Sequence, residues 1–383
     1  MIKEIQIENF KSIQSLNLEL GRLNVFIGAN GSGKSNILEA ITFGAAAAAH
    51  KLDNEFLGTR GIRATEAEYF KSGFGNVQKS NTFDIKFTSY EDEHIKYLFH
   101  HEKHGKNWEV TTEGDLAETN IEKSKTNFDT YIKLLYKSYA HKLSEADFEK
   151  ASLRFIADLI VSEFNDKSKI SDFMIFAPEN HFLRRFEEET QIKPLGIRGE
   201  GFFSHLVQIF AEKPEKFEEI KQHLNLIDWF EDLNISLESI FTNQQLHFTD
   251  TFLGKGLKHF DQRSVNEGTL YLLFYLTLFI SDETPKFFAI DNIDNAMNPK
   301  LGSELVNLLS KLAKAHDKQV ILTTHNPSVL DGLELSDDDQ RLFVVSRNKS
   351  GHTKVLRVPY RETDERLSAR FIRGSIGGLP KNF

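Results

Sequence analysis

Eight consecutive residues, Gly28-Ala29-Asn30-Gly31-Ser32-Gly33-Lys34-Ser35, fit the spacing G-x-x-x-x-G-K-[ST] completely. Each residue type has a task in that pattern. Glycines let backbone N–H groups converge on the α- and β-phosphates, the lysine reaches the β- and γ-phosphates, and the Ser35 hydroxyl is a magnesium ligand. The chemistry implied is the binding of ATP with Mg²⁺. A phosphate-bound magnesium also needs a carboxylate at the end of a neighbouring apolar strand. "KFFAIDNID" supplies Asp291, directly after the apolar run Phe287 to Ile290.

The elements around these residues have the order such a site needs. Ile5 and Ile7, then Leu16, Leu18 and Leu20, alternate with polar residues and predict two strands; Leu23, Val25 and Ile27 predict a third that runs into Gly28. Beyond the glycines, Ile37, Leu38 and Ile41 have helical spacing, and the alanines 45 to 49 extend that helix. "NTFDIKFTS" and "HIKYLFHHE" read as further strands. From about 116 to 240 the chain turns helical, charged and aromatic without a sustained heptad, so an inserted helical subdomain is expected rather than a long coiled coil. From "RSVNEGTLYLLFYLTLFI" onward, helices alternate with the strands "KFFAI", "QVILTT", "RLFVVS" and "KVLRV", as in an α/β sheet. The expected division is 1–115, 116–240 and 241–383, the outer segments forming one core.

Composition narrows the field. The chain has 383 residues, 40% hydrophobic and 27% charged, with a net charge of -9 and no cysteine. Disulfides, thiolate zinc sites and cysteine nucleophiles are excluded. No apolar run approaches the ~20 residues of a membrane span, and "MIKEIQIENF" alternates where a secretory signal would be continuously apolar. A cytoplasmic protein without a membrane role is expected. The acidic balance argues against a globally basic nucleic-acid binder, although a local patch would still suffice to hold DNA. The 33 phenylalanines, as in "GFFSHLVQIF", read as core. "HHEKH" (His100 to His104) and "LSDDDQ" (Asp337 to Asp339) lack the further ligands of a metal or nuclease centre and read as solvated loops.

At this point the chain resembles a family, the ATP-binding-cassette ATPases of the SMC, RecF and OLD type. "IKEIQIENFKSI" followed by "LNVFIGANGSGKSNILEAI" looks like their N-terminal lobe, including Asn36 after the loop serine. "RSVNEGTL" resembles the signature motif, "IDNIDNAMNP" the Walker B and D-loop, and "LTTHNP" the switch-histidine loop. The resemblance covers roughly 1–90 and 240–350 and is nearest to compact bacterial ATPases without long coiled coils, often found in antiphage defence. It implies an ATPase head whose antiparallel N-terminal lobe joins an α/β core. Two such heads would sandwich two ATP molecules in a homodimer or larger assembly. Asn266, Glu267 and Gly268 would then meet the partner's γ-phosphate, and His325 would sense its loss. Lys11 is a further candidate phosphate contact, and Gln78, ahead of "FDIKF", a candidate Q-loop metal ligand.

Two departures from the family pattern stand out. Asn292 replaces the glutamate that polarises the attacking water; an amide is not a carboxylate base, so slow hydrolysis is expected, with Asp294 as a substitute base. Asn266 replaces the signature serine, its amide remaining a possible donor to phosphate. The first expectation is therefore an ATP-clamped switch that scaffolds or restrains a nuclease or toxin effector. The alternative is a RecF-like ATPase that closes on DNA in repair.

Overall fold

The computed structural model describes residues 1–63, 67–72, 82–101, 108–115, 158, 161–184, 194–236, 245–254, 259–362 and 365–379. The alternating start makes β1 (Ile2–Phe10) and β2 (Ile13–Glu19) an antiparallel hairpin, with Ile5 opposite Leu18 and Ile7 opposite Leu16. Then β3 (Leu23–Ile27), buried along its whole length, runs into the glycine loop and α1 (Lys34–Ala48). The hairpin is extended by β4 (Thr82–Ser89), β5 (His94–His100) and β6 (Glu109–Asp115) into an antiparallel sheet of order β2-β1-β4-β5-β6.

The interval 116–240, expected to be mainly helical, also contributes strands. Within it β7 (Ile175–Phe176) joins the central sheet, and α2 (Phe202–Glu212) and α3 (Pro214–Leu224) follow. Next, β8 (Phe230–Ser236) pairs antiparallel with β9 (Gln245–Asp250), which pairs with β10 (Phe260–Asp261). The division expected at 240/241 thus falls between two hydrogen-bonded strands, which belong to one unit. The first part of that interval, 116–157, lies outside the described residues.

The last third follows the predicted order: α4 (Glu267–Ile280), β11 (Phe287–Ile290), α5 (Pro299–Ala315), β12 (Gln319–Thr324), β13 (Gln340–Arg347) and β14 (Thr353–Val358). The central sheet has the order β14-β13-β3-β12-β11-β7, parallel except for β14. Alternate residues enter separate cores. Val25, Ile27, Phe288, Ile290, Val320 and Leu322 face α2 to α5. Phe26, Phe287, Ala289 and Ile321 face α1 and the antiparallel sheet. The α4 sequence, apolar on every side, is buried from Gly268 to Ile280, as a helix without a polar face must be. Among the described residues no helix is long and apolar enough to cross a membrane.

These layers place the ends of β3, β12 and β11 on one edge. Ile27 lies opposite Thr324 and Ile290 opposite Leu322, so Gly28, His325 and Asp291 emerge side by side. The orientation of α1 is fixed from behind by Gly44, where an added Cβ would lie 2.4 Å from the ring of the fully buried Phe87. Overpacking there outweighs the ~1 kcal/mol that alanine gains over glycine in helix propensity. Gly44→Ala is expected to lower stability by about 1–2 kcal/mol in urea unfolding. An unchanged midpoint would contradict this packing.

Candidate active site

The glycine loop is shaped by contacts that exclude side chains. Gly33 has φ 111° and caps α1 without a side-chain bond; Gly31 has φ 70°. A Cβ on Gly28 would meet the Val345 carbonyl oxygen at 2.1 Å, and one on Gly33 would meet Thr353 Oγ1 at 2.1 Å. No acidic residue occupies the first turn of α1, so its N-terminal N–H groups are left for an anion. Ser32 Oγ is buried without a hydrogen-bond partner. Glycine is required at 28 and 33 by these close neighbours, and the free N–H groups of α1 beside an orphaned Ser32 hydroxyl fit a phosphate chain.

Lys34 is buried, and its Nζ donates to the carbonyls of Gly28 (2.8 Å) and Ala29 (3.3 Å) and lies 3.4 Å from His325 Nδ1. Burial lowers its pKa to about 8, against the opposing pull of Asp291 and Asp294. The His325 pKa is lowered as well, first by burial and then by Lys34. The cradle is thus a partly dehydrated cation short of an anionic partner.

Threonines at the end of β12 orient the acidic side. Thr323 Oγ1 donates to Asp291 Oδ1 and accepts the Asn292 N–H at 2.9 Å, while Thr324 Oγ1 donates to Asp294 Oδ1 at 2.7 Å. Asp291 N–H donates to the Phe176 carbonyl (2.8 Å), so β7 braces the aspartate from the other side. Ser35 and Asp291 carry oxygen donors of the kind Mg²⁺ takes, and are the residues that could hold it. Asn292 has φ 55°. Asparagine tolerates this left-handed conformation better than most residues, which gives its presence here a local backbone reason.

Asn266 caps α4, its Oδ1 accepting from Thr269 N and Thr269 Oγ1, both at 2.9 Å. The cap uses the carbonyl end of the amide and leaves the NH₂ end as the donor. Glu267 Oε1 accepts from Asn180 Nδ2 at 2.6 Å, just beyond β7, and Arg184 holds the carbonyls of Gln262 and Arg263 ahead of the turn. Gly268 packs on the loop after Asp291, where a Cβ would meet the Ala296 carbonyl oxygen at 2.9 Å. This turn opens into a cleft of about 560 Å³ lined also by Asp228, Trp229 and Lys300.

The remaining expected residues divide. Asn36 Nδ2 donates to Ser12 Oγ at 2.6 Å, behind the loop. Lys11 forms an ion pair with the buried Glu39 and stands 4.8 Å over the Phe70 ring, so it is neither a solvated lysine nor free for phosphate in this state. Arg63 shares Glu39, its Nε 2.8 Å from Oε1, and lies within electrostatic range of Asp291. Sequence reasoning missed Arg63, and no spacing marked it. Gln78 and His104 lie outside the described residues. Among the described residues no three His, Asp or Glu side chains cluster as metal ligands.

The layered sheet with a phosphate loop, a strand-end aspartate and a capped signature-like turn defines a P-loop ATPase head of the SMC/RecF type. The model of the family described as "AAA domain, putative AbiEii toxin, Type IV TA system" matches residues 23–331, and the chain belongs to that family. The fold is similar to the SMC head bound to the C-winged helix domain of ScpA: TM-score 0.58, 16% identity, 94% of this chain and 98% of that one. It is also similar to the Pyrococcus furiosus SMC head with an extended coiled coil, bound to the C-terminal domain of ScpA: TM-score 0.52, 14% identity, 98% and 99% covered. By sequence it is 37% identical over 82 residues to the DNA replication and repair protein RecF of Bacillus cytotoxicus, 21% of each chain. It is 40% identical over 55 residues to RecF of Lactococcus lactis, 14% of this chain and 15% of that protein. The match therefore spans about a fifth or less of the RecF proteins.

An anion in the cradle raises the Lys34 pKa above its ligand-free value of about 8. ATP affinity should therefore be full below pH 8 and fall as pH rises beyond it, with proton uptake on binding. Calorimetry at pH 7 and pH 9 in buffers of different ionisation enthalpy checks this; equal affinity and no proton uptake would contradict it.

Proposed function

We propose that this chain binds ATP, hydrolyses it slowly, and closes as an ATP-sandwich homodimer that restrains or releases a protein effector, a nuclease or toxin, in bacterial antiphage defence. The observation that carries the reading is the contrast within the site. The phosphate cradle is fully formed, yet the residue after Asp291 is an asparagine in a left-handed conformation. An amide there cannot take a proton from water, so the bound state would outlast a rapid work cycle. The signature-like turn, with a capped Asn266 beside a cleft, offers helix N–H groups and an amide donor to a phosphate held by a second copy. The toxin in the family's description favours an effector system over a transport or repair role.

In this reading Ser35 and Asp291 hold Mg²⁺, with Gln78 a further candidate ligand; the metal would neutralise charge on the phosphates. Lys34 releases its loop carbonyls to meet the β- and γ-phosphates. Asp294, oriented by Thr324 and close enough to act electrostatically on Lys34, serves as the base for the attacking water. Asp294→Ala should abolish turnover while ATP binding persists; unchanged turnover would remove it from the mechanism.

A RecF-like clamp on DNA is the second reading, favoured by the 37% identity over 82 residues. Affinity purification from the native host, with Lys34→Ala as control, separates the two. A stoichiometric nuclease or toxin-like partner is expected. DNA alone, lost in the Lys34→Ala protein, would favour the repair clamp instead.

A further inference from the structure

Behind the glycine loop lies a buried chain of hydrogen bonds built from parts of the sequence far from it. Asn36 Nδ2, in the first turn of α1, donates to Ser12 Oγ at 2.6 Å. Ser12 Oγ lies 2.6 Å from Thr353 Oγ1, which donates to the Ser32 carbonyl at 3.3 Å. The direction is fixed by counting protons. Ser12 accepts from an amide and carries one proton, which goes to Thr353; Thr353 has one proton, which goes to Ser32. Ser12 and Thr353 are both buried, and the Thr353 N–H donates to the Ser12 carbonyl at 2.7 Å. Alongside, Arg347 Nε donates to the Gly31 carbonyl at 2.7 Å.

We propose that Ser12 and Thr353, with Arg347, form a clamp that fixes the glycine loop in its phosphate-binding shape. In a trans peptide the carbonyl and the next N–H point in opposite directions. Held at the Ser32 carbonyl by Thr353, the loop must direct the Gly33 N–H away from the β13–β14 hairpin. The chain of bonds starts on α1 and ends on the loop, so it ties the two halves of the phosphate site together through the β1–β2 turn and the β13–β14 hairpin. It also explains why Gly33 must lack a side chain, since Thr353 Oγ1 occupies the space of a Cβ. Ser12, Arg347 and Thr353 all lie outside the segment 23–331 matched by the family model. They are positioning residues: they act on the nucleotide through the loop.

The proposal rests on the reading of the loop as an ATP site, and the test separates the two. Thr353→Val keeps the shape and deletes the hydroxyl, Ser12→Ala breaks the chain one step earlier, and Thr353→Ser restores the hydroxyl. ATP affinity by calorimetry should fall about tenfold in Thr353→Val and in Ser12→Ala, and return in Thr353→Ser. The loss should fall on KM more than on kcat, in variants that remain folded at the assay temperature by circular dichroism. Wild-type affinity in Thr353→Val would overturn the clamp alone, as would a Thr353→Ser protein that binds as weakly as the valine variant. If the valine variant does not fold, Ser12→Ala decides, and unchanged affinity there overturns the clamp. An absence of ATP binding by the wild-type protein would overturn the nucleotide reading, and the clamp with it.

Discussion

The site depends on an ammonium group removed from water without a full anionic partner. Lys34 is held by two carbonyls of its own loop, with Asp291 and Asp294 near enough to act on it electrostatically. Burying a cation in this way is unfavourable unless opposite charge can be supplied. The parallel sheet supplies part of it by bringing three strand ends to one edge. A polyphosphate would supply the rest, which makes the loop a binding site rather than a structural turn.

The second feature is the bracing of the acidic side. Two consecutive threonines at the end of β12 each serve one aspartate, and β7 holds the Asp291 backbone from the opposite flank. Four residues beyond β7, Asn180 bonds to Glu267 in the signature-like turn. The segment that carries β7 therefore contacts both Asp291 and the signature-like turn. Hydrogen bonds of this kind give such a segment a physical means of coupling them, beyond spatial proximity.

Much of this was legible in the sequence, and the rest was hidden for identifiable reasons. The phosphate loop, Asp291, the alternating first strands and the all-apolar α4 each follow a local pattern of spacing or periodicity. β7 has two residues, too few for any periodic signal, and it lay inside a stretch whose composition reads as helical. Ser12 and Thr353 are 341 positions apart, and Lys11 and Glu39 meet only when α1 docks on the first hairpin. Long-range pairs of single polar residues leave no trace in spacing. Lys11 was expected as a phosphate contact, whereas the Glu39 carboxylate and the Phe70 ring hold it. Asn292 could be read directly after the strand-end aspartate, but its left-handed backbone could not.

In the function we propose, ATP in this cradle joins two copies of the chain and slow hydrolysis keeps them joined. The most direct test is the solution mass of the purified protein by sedimentation velocity, without nucleotide and with ATP and Mg²⁺. ATP should shift the protein to an assembly of at least two chains that persists through the run. A mass that is the same with and without ATP, in protein shown to bind it, would rule out ATP-driven pairing.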